Sequence, residues 1–266
     1  MNRCFLLCGA VLAVGLSGQF AFTQTPPPTP GVQQTAAGST NSDLDPIALE
    51  ALQKMVAHLG TLKNFEVTTR TTVDQIIPNG QKIQMDGGAT YKVQRPNGFF
   101  IETRSDRRVR QFYYDGKTFT MFSPRMGFYA QVPAPGTISE VLQKLEDNYD
   151  VTVPLNDLFR WGSQPEDVKA IKSGMRVGYA KIGAFDCDQY AFRQADVDWQ
   201  IWIERGAKPL PRKVVITTLE DAAQPQYVVY LDWNEVAAFD TAAFNFVPPK
   251  DASKIEITRV SDTTTN

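Results

Sequence analysis

The chain has 266 residues, of which 42% are apolar, and it carries a formal net charge of −2. A chain of this size and composition can bury one sizeable hydrophobic core. Because there is no basic excess, the sequence argues against nucleic acid as a partner, since duplex binding normally requires a concentrated Lys/Arg surface.

The N-terminus is typical of a secretory signal peptide at residues 1–21. Arg3 precedes an apolar run from Cys4 to Leu16, and small or polar residues follow. The run is too short to span a bilayer comfortably, so we expect export and no transmembrane segment after signal removal. Residues 22–44 are rich in Pro, Thr and Gln, which predicts a disordered linker. Cleavage would leave Cys187 as the only cysteine, without an internal disulfide.

The domain is predicted to begin with a helix. Asp45 is a suitable N-cap and Pro46 is typical of the first helical position, so we expect a helix from there to about Leu59. The only histidine, His58, falls outside the apolar stripe of this helix. We interpret it as a solvated residue at the helix edge rather than a ligand or a general base.

A helical insertion is predicted midway along the chain. Thr137 and Glu140 form a capping-box pattern, and apolar residues follow at helical spacing. Two shorter helical pieces are expected around Leu155 to Trp161 and Pro165 to Ile171. These helices are natural covers for one face of a sheet.

The rest of the sequence alternates between apolar and polar residues, which predicts about ten β-strands. The predicted strands are Phe65 to Val73, Lys82 to Gln94, Phe99 to Arg104, Phe112 to Tyr114, Lys117 to Phe122, Phe128 to Val132, Arg176 to Ile182, Phe185 to Arg193, Val197 to Glu204, Arg212 to Leu219 and Gln226 to Asn234. Short turns connect successive strands, so the topology should be an antiparallel meander. Gly87-Gly88 predicts a bulge or a sharp bend.

These elements together predict an α+β fold. We expect one domain, residues 45–260, followed by a polar tail at residues 261–266. A sheet of this size must curl or close. We therefore expect a large curved antiparallel sheet, an incomplete barrel, with the N-terminal helix and the helical insertion covering its concave face.

The segment from Cys187 to Thr218 is the most distinctive part of the sequence. It reads C-D-x-x-A-F-R, then D-W-Q-I-W-I-E, a Gly turn and K-P-L-P-R-K-x-V-I-T. These motifs resemble a family of predicted bacterial periplasmic proteins, domain-of-unknown-function family 2092, over about residues 47–257. The chain departs from the family at Gln189, where His is usual, which argues against histidine chemistry there.

The resemblance implies a location in the periplasm and a fold similar to the lipoprotein carrier and receptor proteins LolA and LolB. In those proteins a curved antiparallel sheet wraps helices and encloses an apolar cavity. This likeness is one of fold, and a fold alone does not define a function.

The sequence offers few catalytic groups, and we expect a protein without a cofactor or metal that is not an enzyme. A hydrolase of the usual type would need a base beside its nucleophile, and His58 is the only imidazole. Two carboxylate pairs, Asp186 with Asp188 and Asp196 with Asp198, could hold calcium or serve a glycosidase. We interpret them as charges that protect strand ends, and a carboxylate-dependent hydrolase is a remote alternative.

The apolar residues instead favour a binding protein. A curved sheet under helices either packs solid or leaves a pocket for an apolar ligand. The candidate cavity-lining residues, selected by face and element, are Leu52, Met55, Phe112, Tyr114, Phe119, Met121, Leu142, Leu145, Trp199 and Ile201. We expect a non-catalytic protein that holds a lipid, an acyl chain or a lipoprotein segment. The alternative is an envelope structural or protein-interaction module with a filled core, which would contact an envelope protein partner.

Overall fold

The computed structural model describes residues 43–151, 153, 169–235 and 238–258. Within these ranges the elements are α1 (Pro46–Thr61), β1 (Asn64–Ile76), β2 (Lys82–Gln94), β3 (Gly98–Ser105), β4 (Val109–Tyr114), β5 (Thr118–Ser123), β6 (Phe128–Pro133), α2 (Ile138–Tyr149), β7 (Ser173–Ile182), β8 (Phe185–Arg193), β9 (Val197–Glu204), β10 (Pro211–Thr218), β11 (Gln226–Asn234), a 3-10 helix (Thr241–Phe244) and β12 (Ser253–Lys254). The predicted signal peptide, almost all of the predicted linker, most of the two short helical pieces and the polar tail lie outside the described residues.

All twelve described strands form one open sheet in the order β12-β6-β5-β4-β3-β2-β1-β11-β10-β9-β8-β7. Two antiparallel meanders, β1–β6 and β7–β11, are joined where β1 pairs with β11. The predicted α+β fold with a large antiparallel sheet is therefore confirmed. Each of the eleven strand segments named in the sequence has a counterpart among β1–β11, and the twelfth strand is the two-residue β12, which pairs with β6 in parallel.

Both helices begin at the predicted caps. The Asp45 side chain accepts a hydrogen bond from the Ile47 N–H, and Pro46 opens α1. The Thr137 hydroxyl accepts a hydrogen bond from the Glu140 N–H, and the Glu140 carboxylate accepts one from the Thr137 N–H. These contacts satisfy N–H groups that have no partner inside the helix.

The predicted bulge at Gly87-Gly88 is wrong for the pairing of β1 with β2. Those two strands pair without interruption from Asn64 opposite Gln94 to Ile76 opposite Lys82. A Cβ atom at Gly88 would collide with the carbonyl oxygen of Thr69 on β1. Glycine therefore allows close approach of two backbones here rather than an extra residue.

The sheet has two unlike faces. The inner face packs against α1 and α2, and alternate residues of β1–β5 and β8–β11 contribute to one large apolar cluster there. The outer face carries a small second cluster of three buried residues, Cys187, Trp202 and Val215. Strand alternation thus directs Trp199 and Ile201 inward and Trp202 outward, as the period-2 pattern of β9 predicts.

Candidate functional site

The predicted cavity-lining residues all lie in or against the inner apolar cluster. Nine of the ten are buried, and Met121 is half-buried and packs against the others. They come from α1 (Leu52, Met55), α2 (Leu142, Leu145), β4 (Phe112, Tyr114), β5 (Phe119, Met121) and β9 (Trp199, Ile201). The structure brings them onto one face of the sheet, and contact with a ligand stays a prediction for each of them.

The part of the inner face under α2 is filled by aromatic rings. The Phe99 ring centroid lies 5.4 Å from that of Tyr114 and 6.4 Å from that of Phe119, which in turn lies 6.2 Å from Phe112. The Tyr114 hydroxyl donates a hydrogen bond of 2.5 Å to the carbonyl of Gly136, just before α2. Burial raises the pKa of Tyr114 to about 12, with smaller contributions from nearby carboxylates. The phenol is therefore neutral, and it fixes the loop before α2 to the sheet.

A second group of apolar residues crosses the sheet near the other ends of the strands. We call it the inner row: Met85, Val73, Tyr227, Ile216, Trp199 and Phe192 on β2, β1, β11, β10, β9 and β8. Each residue is directly opposite the next in the strand register. The row is therefore a continuous apolar strip across six neighbouring strands.

Burial along the inner row changes from one end to the other. Phe192, Ile216 and Trp199 are 3%, 6% and 8% exposed. Tyr227, Val73 and Met85, at the β11–β1–β2 end, are only half-buried. The row thus runs from a closed end under α1 to a partly open end.

The closed end of the row is tightly packed. The Phe192 and Trp199 rings stack with centroids 4.3 Å apart. On β7, a Cβ at Gly174 would lie 2.5 Å from the Phe192 ring and 2.7 Å from the Leu44 side chain, so glycine is required there.

Two phenols add polar groups to the inner face. Burial raises the pKa of Tyr91 well above its ordinary value, and Tyr227 contributes to that shift. Burial also raises the pKa of Tyr227. Both hydroxyls are neutral at physiological pH, and that of the half-buried Tyr227 can orient a polar atom of a ligand without adding a charge.

Of the inner row, only Trp199 is among the predicted lining residues; sequence reasoning missed the other five, which are Met85, Val73, Tyr227, Ile216 and Phe192. Each of them was recognisable as an apolar residue on an alternating strand. The signal that unites them is the register of their strands, and that register depends on the long-range pairing of β1 with β11.

The interpretation of His58 as a solvated residue is wrong. Its Nε2 lies 3.0 Å from Oε2 of Glu235, and its side chain is only 16% exposed. The other oxygen of Glu235 accepts a hydrogen bond of 3.0 Å from Nζ of Lys208. The partner carboxylate lies 177 residues away in sequence, so a helical wheel could not reveal it. The contact ties the last turns of α1 to the end of β11.

Three of the four candidate carboxylates, Asp186, Asp188 and Asp198, are engaged by cations or hydroxyls, whereas Oδ1 of Asp196 is buried without a hydrogen-bond partner among the described residues. Asp188 lies 2.7 Å from a guanidinium nitrogen of Arg176. Arg193 donates two hydrogen bonds, of 2.7 and 2.6 Å, to Asp198. Hydrogen bonding from Arg193 lowers the pKa of Asp198, and hydrogen bonding from the Tyr179 hydroxyl lowers that of Asp186. A general acid of a glycosidase requires a raised pKa instead.

Metal and thiol chemistry find no support in the described part of the chain. No group of three or more His, Cys, Asp or Glu side chains there could hold a metal ion. Cys187 is fully buried, and burial, followed by the charge of Glu204, raises its pKa to about 11. Its thiol is therefore neutral and enclosed, as expected for a structural cysteine.

The geometry defines an α+β protein with an open antiparallel sheet and two helices on its inner face. The sequence profile of the family described as "Predicted periplasmic protein (DUF2092)" matches residues 48–258. The chain belongs to this family, and the resemblance seen in its motifs is confirmed. The family description places the protein in the periplasm.

Several solved structures are similar at low sequence identity. LprF from Mycobacterium bovis is 13% identical, with a TM-score of 0.42 over 79% of this chain and 99% of that chain. The lipoprotein LppX of Mycobacterium tuberculosis is 12% identical, with a TM-score of 0.38 over 74% of this chain and 100% of that chain. A LolA superfamily protein from Nitrosomonas europaea is 10% identical, with a TM-score of 0.38 over 75% of this chain and 97% of that chain.

Two further comparisons complete these findings. No protein with a curated description matches the chain significantly. Neither of the helices in the described ranges has the length and apolar character needed to cross a membrane.

Proposed function

We propose that this periplasmic protein is a non-catalytic carrier or receptor that holds a lipid, an acyl chain or a lipoprotein segment against the inner face of its sheet. The observation that carries the proposal is the inner row, which is apolar along its whole length and half-exposed at the Met85 end. An apolar ligand would enter at this end and extend toward the row's closed end.

The dimensions of the row suit a chain-like ligand. Six neighbouring strands span roughly 24 Å at about 4.8 Å per strand interval. Each methylene group that leaves water contributes about 0.8 kcal/mol, so a long acyl chain gains enough to bind without any charged partner. The neutral hydroxyl of Tyr227 at the half-exposed end is suited to an ester or amide group rather than to a free ion.

The proposal can be tested with protein purified from its own periplasm. Native mass spectrometry should show a ligand in defined stoichiometry, and organic extraction followed by lipid analysis should name it. Titration with a fluorescent fatty acid should then show saturable binding to the delipidated protein.

The chain offers a matched pair of variants for this test. Met85→Lys places a cation at the half-exposed end of the inner row. Gln84→Lys adds the same charge one residue earlier, on the exposed opposite face. We expect Met85→Lys to weaken fatty-acid binding by at least about tenfold, which corresponds to 1.4 kcal/mol, and Gln84→Lys to leave it unchanged.

Circular dichroism should show that both variants keep the fold. A protein that is ligand-free from its periplasm and also fails to bind the fluorescent fatty acid would refute the proposal. That result would favour the filled-core interaction module instead.

A further inference from the structure

The two edges of the sheet are protected to different extents. At one edge, β12 pairs with β6 at Ser253 and Lys254. At the other edge, β7 pairs with β8, and Leu44 bridges Gly174 in parallel. Beyond that bridge and a 3.4 Å contact from the Arg176 N–H to Asp45, the described residues form no further pairing on the outer side of β7. An edge strand of this kind presents free backbone donors and acceptors.

β7 and the start of α1 expose several apolar side chains. Val177 and Tyr179, in the free part of β7, are 51% and 57% exposed, and Met175 and Ile47, beside the part that Leu44 and Asp45 cover, are each 58% exposed. These four are half of the eight large apolar residues that are exposed in the described part of the chain. Exposed apolar residues concentrated in this way mark an interaction surface.

The charges beside the open end of β7 are mixed, with one cation in excess, whereas the Asp45 carboxylate lies beside the end that Leu44 covers. Arg176 and Arg205 share the carboxylate of Asp188, at 2.7 and 3.4 Å. Lys181 lies 3.6 Å from Asp186. Three cations thus face two carboxylates, so the surface favours a partner that brings an acidic residue.

We propose that β7, from Val177 to Ile182, binds an extended segment of a partner protein as an added β-strand. The segment carries apolar side chains at alternate positions and at least one acidic residue. Backbone hydrogen bonds supply affinity in this mode, and the exposed side chains supply selectivity.

The chain's own N-terminal segment is a poor occupant for this stretch. Leu44 pairs in parallel with β7, so the chain arrives from the Ser173 end and turns into α1 after Asp45. The register of β7 shifts between Arg176 and Gly178, and Gly178 has a φ of 150°. This irregularity separates the part of the edge that Leu44 covers from the part that remains free.

A second copy of the protein is also a poor occupant. Edge-to-edge pairing of two β7 strands would bring together two copies of Arg176, Lys181 and Arg205. Like charges placed opposite each other destabilise a sheet. An acidic peptide meets the same cations favourably.

The test is peptide display on the mature protein with randomised segments of roughly eight residues, within the usual length of a strand. We expect the selected peptides to alternate apolar residues and to carry an acid. A synthetic copy of the best peptide should bind in fluorescence anisotropy, and backbone N-methylation at alternate residues should abolish binding.

Two exposed positions provide matched variants. Val177→Asp removes an exposed apolar side chain and repels an acidic peptide, so it should weaken binding of the selected peptide by at least about tenfold. Met126→Asp adds the same charge at a residue that is 70% exposed near the other edge, and it should have no effect.

Three results would overturn the proposal. They are a library without enrichment, a peptide that binds Val177→Asp unchanged, and a concentration-dependent dimer in analytical ultracentrifugation that Val177→Asp dissolves. Since none of these measurements involves a lipid, the outcome is independent of the proposed ligand on the inner face.

Discussion

The inner and outer faces of the sheet cover their apolar residues in different ways. On the inner face, residues of both helices complete a continuous cluster. On the outer face, the small cluster of Cys187, Trp202 and Val215 is covered by long polar side chains: Nζ of Lys213 lies 4.6 Å from the Trp202 ring centroid, and the Arg212 guanidinium lies 3.5 Å from that of Phe185. The apolar stems of such side chains shield a surface while their charges remain near water.

On the other half of the outer face, an aromatic ring provides the cover instead of charged side chains. Across β4, β5 and β6, the ring of Phe246 covers Tyr113, Phe122 and Tyr129, with centroids 5.3, 5.3 and 5.1 Å away. Within the described ranges, both α-helices therefore pack on the inner face, and the outer face is covered by single side chains and by the short 3-10 helix, whose Phe244 ring lies beside Gly98 of β3. A ligand that displaces a helix on the inner face would therefore disturb more packing than one that displaces a single side chain on the outer face.

Two adjacent valines on β10 sharpen this comparison most directly. Val214 points inward and is 6% exposed, and Val215 points outward and is 7% exposed. We expect Val214→Ala to lower the free energy of unfolding by about 2.5 kcal/mol, because a cavity between sheet and helices cannot easily collapse. Val215→Ala should cost only about 1 kcal/mol, since flexible side chains can close over the gap.

Urea denaturation followed by circular dichroism measures both values. Equal losses for the two valines would show that the outer cluster is packed as rigidly as the inner one, and the comparison would fail.

Arg212 is the side chain on which the outer cluster depends most. Its side chain is 7% exposed, and its Nε and Nη2 donate hydrogen bonds of 2.8 and 2.6 Å to one oxygen of Glu204. Arg212→Ala should cost about 2 kcal/mol, because it removes charge-assisted hydrogen bonds and uncovers Phe185.

Arg205→Ala is the control for this substitution. The Arg205 side chain is 54% exposed and lies 3.4 Å from Asp188. An exposed ion pair is worth about 0.5 kcal/mol, so the free energy of unfolding should hardly change. Similar effects of the two arginine substitutions would contradict the role given to Arg212.

The sequence predicted the faces better than the contacts between them. Alternation along β9 correctly assigned Trp199 and Ile201 to the helix-covered face, because side-chain direction is a local property of a strand. The pairing of β1 with β11 and the contact between His58 and Glu235 were not predicted. Both join residues that are far apart in the chain, so no short-range periodicity records them. For the same reason the ten predicted lining residues omitted Met85, Val73 and Tyr227.

The smallest predicted effect concerns a surface ion pair on the outer face, Arg193 with Asp198. Their side chains are 60% and 34% exposed, so the pair should contribute no more than about 0.5 kcal/mol. Hydrogen bonding from Arg193 lowers the pKa of Asp198 in the folded protein. The contribution of the ion pair to the free energy of unfolding is therefore complete above the pKa of Asp in the unfolded chain, about 3.9. It is lost as the pH falls through the lower pKa of the folded protein.

Arg193→Gln should accordingly reduce the free energy of unfolding at pH 6 by this small amount and have no effect near pH 2. Urea denaturation at both pH values provides the measurement. A difference that persists unchanged at the acid end would mean that Arg193 stabilises the β8–β9 hairpin by packing rather than by charge. In that case the exposed rim of the outer face, like its centre, would be stabilised by the packing of long side chains.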